Sequence, residues 1–444
     1  MSRMKVGACR RYLLGVLVVV SACNLSESSA LGLLLQNIKV DLRLTDSELG
    51  ILSGIAFALF YSVMGVPIAR WADRGNRITV ISVTTFIWGV MVALCGVAAN
   101  FAQLLLLRIG VAVGEAGYMP PSHSLIAEYF AREERARAVA IFALGGSLSA
   151  VIGDFWAGWL NELYGWRATF MIIGLPGLVL AAVAWLTLEE PRNSRRADYL
   201  GIAGGAPRSP PATASPPDFK AVCRMLAGNR TFRHLVIAAS VVNFFGYGIV
   251  QWQPAFLIRS FGLSTGEIGT CYAIIYGSSW VGTYWGGIWA SRHAARDEPR
   301  QLRLMAVLYC GVAFMSCLTY LTSNRYAAIG WIALVALATS PVYGPLYGII
   351  QTLIPDRMRA TAIAVLYFIS NLVGMGFGPL STGVLSDALR PLAGTESLRY
   401  ALLLLCPGYF WAAWHMWRAR RTVVADLQLS KAAGGDFEIE PGLA

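Results

Sequence analysis

The length and composition of the chain point to a membrane protein. Its 444 residues are 56% hydrophobic and only 14% charged, with a mean hydropathy of +0.56, and these values exclude an ordinary soluble protein. The net charge of +11 would suit a nucleic-acid partner, but the basic residues are spread over many loops instead of forming one patch. We therefore expect no nucleic-acid partner.

Twelve apolar segments divide the chain, each close to the length of about 20 residues that crosses a bilayer. Backbone polar groups must be paired in lipid, so continuous segments of this length are predicted to be helices, and the predicted fold class is all-α integral membrane. The predicted spans are residues 12–36, 48–70, 77–98, 101–129, 138–162, 166–188, 234–258, 266–290, 302–323, 326–353, 360–385 and 397–418.

The positions of the basic residues predict the orientation of these spans. Most of the 36 Lys and Arg residues lie in the two termini and the even-numbered loops, which places both termini in the cytoplasm and the chain in the cell inner membrane. A lipoprotein signal peptide is an alternative, because a basic start is followed by VSAC at residues 20–23. The apolar segment continues past Cys23 to Leu35, and this favours a membrane span.

A long polar segment separates two halves. Residues 189–233 contain PRNSRR and APRSPPATASPPDF, a composition typical of a linker. RARAVAI at 135–141 recurs as RMRATAI at 357–363, each at the start of an odd-numbered span, and this indicates two parallel six-helix pseudo-repeats. The predicted domains are an N-terminal bundle at 1–188, a cytoplasmic linker at 189–233, a C-terminal bundle at 234–421 and a disordered tail at 422–444.

The charged residues predicted to lie inside the bilayer include Glu27 in the first span, and Arg108 and Glu115 in the fourth. Arg108 and Glu115 are two helical turns apart and share one helix face. Intramembrane charge is retained chiefly where it faces a cavity or a partner. We therefore predict that Glu27 and Glu115 are proton-coupling groups and that Arg108 contacts a substrate anion or modulates Glu115. A structural ion pair, or an uncoupled polar Glu27, is the alternative.

The C-terminal half carries aromatic and amide side chains instead of membrane charge. Side chains with an apolar body and a polar tip suit an amphipathic substrate, although interhelical packing is an alternative role. The predicted substrate-binding residues besides Arg108 are Asn24, Asn243, Tyr247, Gln251, Tyr276, Tyr343, Tyr347, Tyr367 and Asn371.

Motifs for other chemistries are missing from the sequence. The eight cysteines and four histidines lack metal-ligand spacing, and no Walker sequence is present. We therefore expect no metal site, no cofactor and no enzymatic activity. A membrane-embedded lipid-modifying enzyme and a receptor that does not transport its ligand are the alternatives.

The loop after the second span, ARWADRGNR at 69–77, resembles the signature GxxxDRxGRR of the major facilitator superfamily. Asp73, Arg74 and Arg77 match, while Ala69 and Asn76 replace the two glycines. The resemblance implies a transporter with two six-helix bundles, in which this loop holds the cytoplasmic side closed. Charged residues farther along the chain, Glu128, Arg135 and Arg137, are predicted to form part of this conformational lock.

The fourth span is similar to the Spinster-like branch of that superfamily. RIGVAVGEAGYMPPSHSLIAEYF at 108–130 resembles the branch pattern R-x-G-x-G-x-G-E-A with a following proline segment and D/E-x-F. NLSES at 24–28 resembles N-x-x-D-R, with Glu27 in place of the aspartate and Ser28 in place of the arginine.

The resemblance implies a secondary active transporter that works by alternating access, coupled to protons, on a lysophospholipid or sphingoid substrate. Proton-coupled uptake of a small organic acid, as in neighbouring branches, is the alternative. The implied partners are this small amphipathic or anionic substrate, protons and the lipid bilayer, and the implied assembly is a monomer.

Overall fold

The computed structural model describes residues 3–191, 219–293, 297–354 and 358–435, and every regular element in these ranges is a helix. This confirms the all-α prediction. Nine helices within the described ranges are long and apolar enough to cross a membrane. Two of them, Arg137–Thr187 and Val365–Leu429, each contain two predicted spans, and the eighth predicted span lies in Thr265–His293. All twelve predicted spans therefore coincide with helical structure.

The chain divides into two compact units, and unit 1 comprises Met1–Pro211 and Val250–Gly277. A π-helical turn at Ile51–Ile55 joins its second and third helices. The helices that begin in the N-terminal half are α1 (Arg3–Leu42), α2 (Asp46–Gly50), α3 (Ala56–Arg74), α4 (Arg77–Cys95), α5 (Phe101–Glu115), α6 (Met119–Tyr129) and α7 (Arg132–Thr187).

Unit 2 comprises Ala212–Ile249 and Ser278–Ala444, so the two helices Arg230–Phe261 and Thr265–His293 are each divided between the two units. Short 3-10 turns lie at Ser340–Val342 and Gly394–Glu396, and a π-helical turn lies at Leu372–Phe377. The helices of the C-terminal half are α8 (Phe219–Gly228), α9 (Arg230–Phe261), α10 (Thr265–His293), α11 (Glu298–Leu321), α12 (Arg325–Thr339), α13 (Tyr343–Leu353), α14 (Arg359–Asn371), α15 (Gly378–Ala393), α16 (Ser397–Leu405) and α17 (Gly408–Gly435).

The last helix differs from the sequence prediction. We expected a disordered tail from residue 422, whereas α17 continues to Gly435. Val423 is fully buried, and Asp426 accepts a hydrogen bond at 2.7 Å from the backbone N–H of Thr231. Tertiary contacts therefore extend the helix beyond its apolar part, and the rest of the predicted tail lies outside the described residues, as does much of the predicted linker.

Two local features shape unit 1. Gly165 has φ 78° and interrupts α7 between the fifth and sixth predicted spans, a conformation that glycine adopts at little cost. The fourth span is broken directly after Glu115, where α5 ends and α6 begins at Met119. Pro120 and Pro121 have no N–H to donate to the carbonyls four residues earlier, so the α-helical ladder cannot continue through this point.

Close packing against α4 determines where α5 lies. A Cβ atom on Gly114 would lie 2.6 Å from the backbone N of Trp88, and one on Gly117 would lie 2.2 Å from Cγ2 of Thr84. Small residues allow this approach between membrane helices. The contacts explain the glycine spacing of the fourth span and hold Glu115 beside the break between α5 and α6.

We predict that Gly114→Ala lowers the stability of the protein by about 1–3 kcal/mol, because the added methyl group meets rigid backbone. Gly110→Ala, one turn away, should cost less, since its Cβ would meet the flexible side chain of Met91 at 2.7 Å. Gly330→Ala is the control, because nothing lies within 4 Å of its Cβ position. Thermal unfolding in detergent measures all three variants. Equal losses for Gly110→Ala and Gly114→Ala would contradict the prediction.

Candidate functional site

A buried ion pair joins α1 and α5 inside unit 1. Nη1 of Arg108 donates to Oε1 of Glu27, and the two side chains are 2% and 0% exposed. The guanidinium carbon of Arg108 also lies 5.3 Å from the ring centroid of Phe57 in α3. Aromatic faces attract such cations. Three helices therefore position this charge in an apolar interior.

Four buried polar atoms around the ion pair have no hydrogen-bond partner among the described residues. They are Oε2 of Glu27, Oδ1 of Asn24, Nε of Arg108 and Oε2 of Glu115. Most buried polar atoms in proteins are paired, so a group of four in one place is unusual. Three of these atoms accept hydrogen bonds and one donates. We call Asn24, Glu27, Arg108 and Glu115 the central cluster.

The charges of the central cluster do not balance when both carboxylates are ionised. Glu115 is 4% exposed and interacts electrostatically with Glu27 and Arg108. Two carboxylates and one guanidinium leave one uncompensated negative charge in a low-dielectric interior, which is costly. Binding one proton makes the cluster neutral. The arrangement is therefore able to hold and release a proton.

The structure defines the partner of Arg108. Its guanidinium is paired with Glu27 across two helices, as in the structural ion pair that we gave as the alternative. It also interacts electrostatically with Glu115, and its contact with a substrate anion stays a prediction. Arg108 thus supplies the cation that the branch pattern places next to the first-span carboxylate and that Ser28 cannot supply. The missing arginine in NLSES was the signal for this pairing.

Three predicted substrate residues line one narrow cavity inside unit 2. Asn243 of α9, Tyr347 of α13 and Tyr367 of α14 lie there, and the two tyrosine rings stack with centroids 5.2 Å apart. Tyr309 and Met416 also line this cavity and were not predicted. The remaining lining is mostly apolar, from Val242, Leu346 and Leu366.

The other predicted substrate residues are not among those that line this cavity. Gln251 and Tyr276 belong to unit 1. The hydroxyl of Tyr276 donates to Oε1 of Gln253 at 3.3 Å. Tyr247 is 41% exposed, Asn371 is half-buried at the end of α14, and the side chain of Tyr343 lies outside the described residues.

Two residues of the predicted conformational lock, Arg77 and Glu128, lie together in one ion-pair network. Nη1 of Arg77 lies 2.5 Å from Oε2 of Glu128, its Nη2 pairs with Glu190, and its Nη1 donates to Ser124 at 3.1 Å. Arg77 is 1% exposed. Glu190 was not predicted, although the acidic pair at 189–190 directly follows the sixth span. We call Arg77, Glu128 and Glu190 the linker-end network.

The partners within the lock differ from the expected ones. We expected Glu128 to interact with Arg135 and Arg137, but its carboxylate pairs with Arg77 instead. Nε of Arg135 donates to the carbonyl of Phe130 at 3.1 Å, and Arg137 is exposed. Asp73 and Arg74 are exposed at the end of α3. Arg77 is the first residue of α4, and its side chain contacts Glu128 and Ser124 of α6 and Glu190.

A second network, absent from our predictions, lies at the opposite end of unit 1. Asp46, at the start of α2, pairs with Lys39 at 2.5 Å and with Arg259 of α9 at 2.7 Å. Nε of Arg259 donates to Gln36 at 2.6 Å. We call Gln36, Lys39, Asp46 and Arg259 the first-loop network, since the first three lie close to the loop at residues 43–45. Their separation along the chain left no signal in the sequence pattern.

Comparison with known proteins identifies relatives over nearly the whole chain. The family described as Major Facilitator Superfamily matches residues 17–417. An "MFS-type efflux pump" of Mycolicibacterium smegmatis is 32% identical over 88% of each chain. A "Probable L-galactonate transporter" of Escherichia coli K12 is 25% identical, covering 88% of this chain and 84% of the relative.

Solved structures agree with these relatives. A crystal structure of a bacterial homolog to the human lysosomal transporter Spinster, inward-facing and unoccupied, superposes with a TM-score of 0.83 at 28% identity. It covers 96% of this chain and 99% of that chain. A D-xylose–proton symporter shares the fold with a TM-score of 0.69 at 15% identity, over 91% and 96% of the two chains.

The ion pair of the central cluster predicts a non-additive pair of substitutions. Arg108→Gln leaves the buried Glu27 carboxylate unpaired and should cost roughly 3–5 kcal/mol of stability. Adding Glu27→Gln removes that charge, so the double variant should unfold at a higher temperature than Arg108→Gln alone. Arg325→Gln, an exposed arginine, is the control. Additive losses in thermal unfolding would mean that the two side chains are not coupled.

Proposed function

Because the chain belongs to the Major Facilitator Superfamily and to its Spinster-like branch, we propose that it is a proton-coupled secondary transporter of an amphipathic organic anion. The family and the structural neighbours are transporters, so the chain is a multi-pass membrane transporter and not an enzyme. The substrate class, the coupling ion and the residues that carry them are the proposed part.

The observation that carries the proposal is the unbalanced charge of the central cluster. Glu27 and Glu115 share one cation, Arg108, in a buried site. A proton bound there neutralises the cluster. A bound proton drives transport only if it favours one of two conformations over the other. We propose that Glu27 leaves Arg108 when protonated and that the freed guanidinium then binds the anionic group of the substrate.

The proposed substrate has an anionic head and an apolar body, of the lysophospholipid or sphingoid type. The stacked Tyr347 and Tyr367, with the apolar side chains beside them, support an apolar body. A small organic acid is the second candidate. It is supported by relatives named as transporters of L-galactonate, of galactarate or D-glucarate, and of cis,cis-muconate. Both candidates carry an anion that an arginine can bind.

Alternating access requires contacts that can break at each side of the membrane. We propose that the first-loop network closes one side, because Arg259 comes from the C-terminal half while Asp46 and Gln36 come from the N-terminal half. The linker-end network, with Asp73 and Arg74 nearby in sequence, is proposed to stabilise the other side. The excess of basic residues at the linker end supports its placement in the cytoplasm.

Membership of this superfamily also supports proposals on the domain organisation, the oligomeric state and the location of the protein. We propose two six-helix bundles at 1–188 and 234–421, joined by a cytoplasmic linker, in a monomer of the cell inner membrane with both termini in the cytoplasm. The repeat of RARAVAI as RMRATAI and the positive-inside distribution support this plan. The predicted substrate residues Tyr247, Gln251, Tyr276, Tyr343 and Asn371 remain part of the proposed transport pathway.

Proton flux in proteoliposomes tests the proposal. With a pH dye inside, a lysophospholipid, a sphingoid phosphate, galactonate and muconate are added separately to wild type, Glu27→Gln and Glu115→Gln. We expect one substrate class to trigger proton movement, and we expect either substitution to reduce its rate by at least about tenfold, because a coupling group contributes at least a proton-transfer step. Glu396→Gln, a surface carboxylate paired with Arg399, is the matched control.

The outcomes separate the elements of the proposal. Flux with galactonate or muconate alone would replace the lipid-like substrate by a small acid and leave the coupling intact. Substrate movement without proton movement in wild type would contradict proton coupling. Full coupling in both glutamine variants would remove the central cluster from the mechanism.

The first-loop network yields a separate prediction. Arg259→Gln removes the cation that bonds Asp46 and Gln36, so α9 should separate more often from α1 and α2. Hydrogen exchange should then increase in peptides covering residues 36–46 and 256–268 and remain unchanged around the linker-end network. Arg325→Gln controls for the loss of an exposed positive charge. Unchanged exchange at 36–46 would show that the network does not hold this side closed.

A further inference from the structure

A basic cavity lies between α9 and α17 in unit 2, outside every set of residues assigned to transport above. It encloses about 710 Å³. Four arginines, one histidine and one isoleucine account for most of its lining: Arg230, Arg233, His234, Ile237, Arg418 and Arg421. It is located where α9 begins, within the last residues of the predicted linker at 189–233, and where α17 leaves its apolar part.

Hydrogen bonds between the two helices hold this cavity in place. The hydroxyls of Thr231 and Thr422 lie 2.6 Å apart, and Asp426 accepts from the backbone N–H of Thr231 at 2.7 Å. Nδ1 of His234 lies 2.9 Å from Nδ1 of His415. These contacts fix the register of α9 against α17. The arginines around these contacts therefore extend from two helices that are joined by hydrogen bonds.

Among the described residues, no carboxylate forms an ion pair with the arginines of the cavity. None of the four arginines has a carboxylate within 4.0 Å in the described part of the chain, and the carboxylate of Asp426 is already bonded to the Thr231 backbone. Four guanidinium groups around one space repel each other. An anion between them would relieve this repulsion, and guanidinium groups bind phosphate oxygens in a bidentate manner.

An apolar surface continues from the basic cavity along the same helix faces. Trp411 and Trp414 precede Arg418 by two turns and one turn, and they are 53% and 52% exposed. The guanidinium carbon of Arg418 lies 5.6 Å from the Trp414 ring centroid. Ile237, one turn from Arg233, is 39% exposed. A ligand bound here would meet positive charge at one end and exposed aromatic and aliphatic side chains at the other.

We propose that this cavity binds the headgroup of an anionic phospholipid, with the phosphate between the arginines and an acyl chain along Trp414 and Ile237. Basic cavities between membrane helices are suited to anionic headgroups. A soluble phosphate would satisfy the same guanidinium groups but would leave the exposed apolar surface without a role. The lipid is a bound component of the membrane and not the transported substrate.

Native mass spectrometry of the full chain, with equal amounts of phosphatidylglycerol and phosphatidylcholine, tests the proposal. We expect wild type to retain phosphatidylglycerol preferentially. Arg233→Gln and Arg418→Gln should each lower this preference roughly fivefold, the effect expected for one basic residue near an anionic lipid. Trp414→Ala should reduce retention of both lipids without changing the charge. Arg325→Gln is the matched control, since Arg325 is exposed and also lies beside an aromatic ring, that of Tyr326 at 4.8 Å.

A further arm distinguishes lipid from soluble phosphate. Inorganic phosphate and glycerol 3-phosphate are added at millimolar concentration, and we expect neither to displace phosphatidylglycerol. Displacement by either anion, or a Trp414→Ala variant that retains both lipids as wild type does, would overturn the lipid assignment. An equal loss of preference in Arg325→Gln would show that the effect is one of overall charge. Unfolding temperatures without added lipid verify that each variant is folded.

Discussion

The free-energy cost of burying charge in an apolar interior determines which side chains of this molecule must pair. Glu27 and Arg108 are almost inaccessible to solvent, and each is tolerated because the other is beside it. Their meeting depends on the packing of α5 against α4, where glycines replace larger side chains. Any change that moves α5 therefore disturbs the ion pair, and any change in the ion pair alters the stability of α1 against α5. This coupling is what a proton-driven change of conformation requires.

Charged networks occur at three levels of unit 1. The central cluster lies between two others, with Asp46 and Arg259 at one end and Arg77, Glu128 and Glu190 at the opposite end. In the networks at the two ends, one buried or half-buried residue has more than one partner of opposite charge. Such a residue can exchange one partner for another without leaving its charge unpaired in a low-dielectric interior. In the proposed mechanism, contacts that exchange at these three levels would allow alternating access without the unfolding of helices.

The similar proteins and the site support two candidates for the proposed anionic substrate, which differ in the uncharged part of the molecule. Spinster homologs and sugar-acid transporters appear together among the similar proteins, and an arginine that can bind an acidic group would serve either substrate. The stacked tyrosines in unit 2 favour a larger apolar part. The basic cavity between α9 and α17 is proposed as a second place for anions, lined by Arg230, Arg233, Arg418 and Arg421. The exposed Trp411 and Trp414 beside it are the reason why we propose a membrane lipid there and not the transported substrate.

The sequence by itself determined the all-α fold, the positions of the spans and the identity of the charged residues in them, because hydropathy and helical spacing are local properties. It also identified Arg77 and Glu128, though not their pairing. Only the tertiary structure decided which of these charged residues pair with each other. Arg108 bonds Glu27 of another helix, Glu190 completes the network around Arg77, and α17, which continues to Gly435, bonds α9 through Asp426. Pairing depends on which helices meet and at what register, and that is settled by the packing of glycines, prolines and large side chains across the whole bundle.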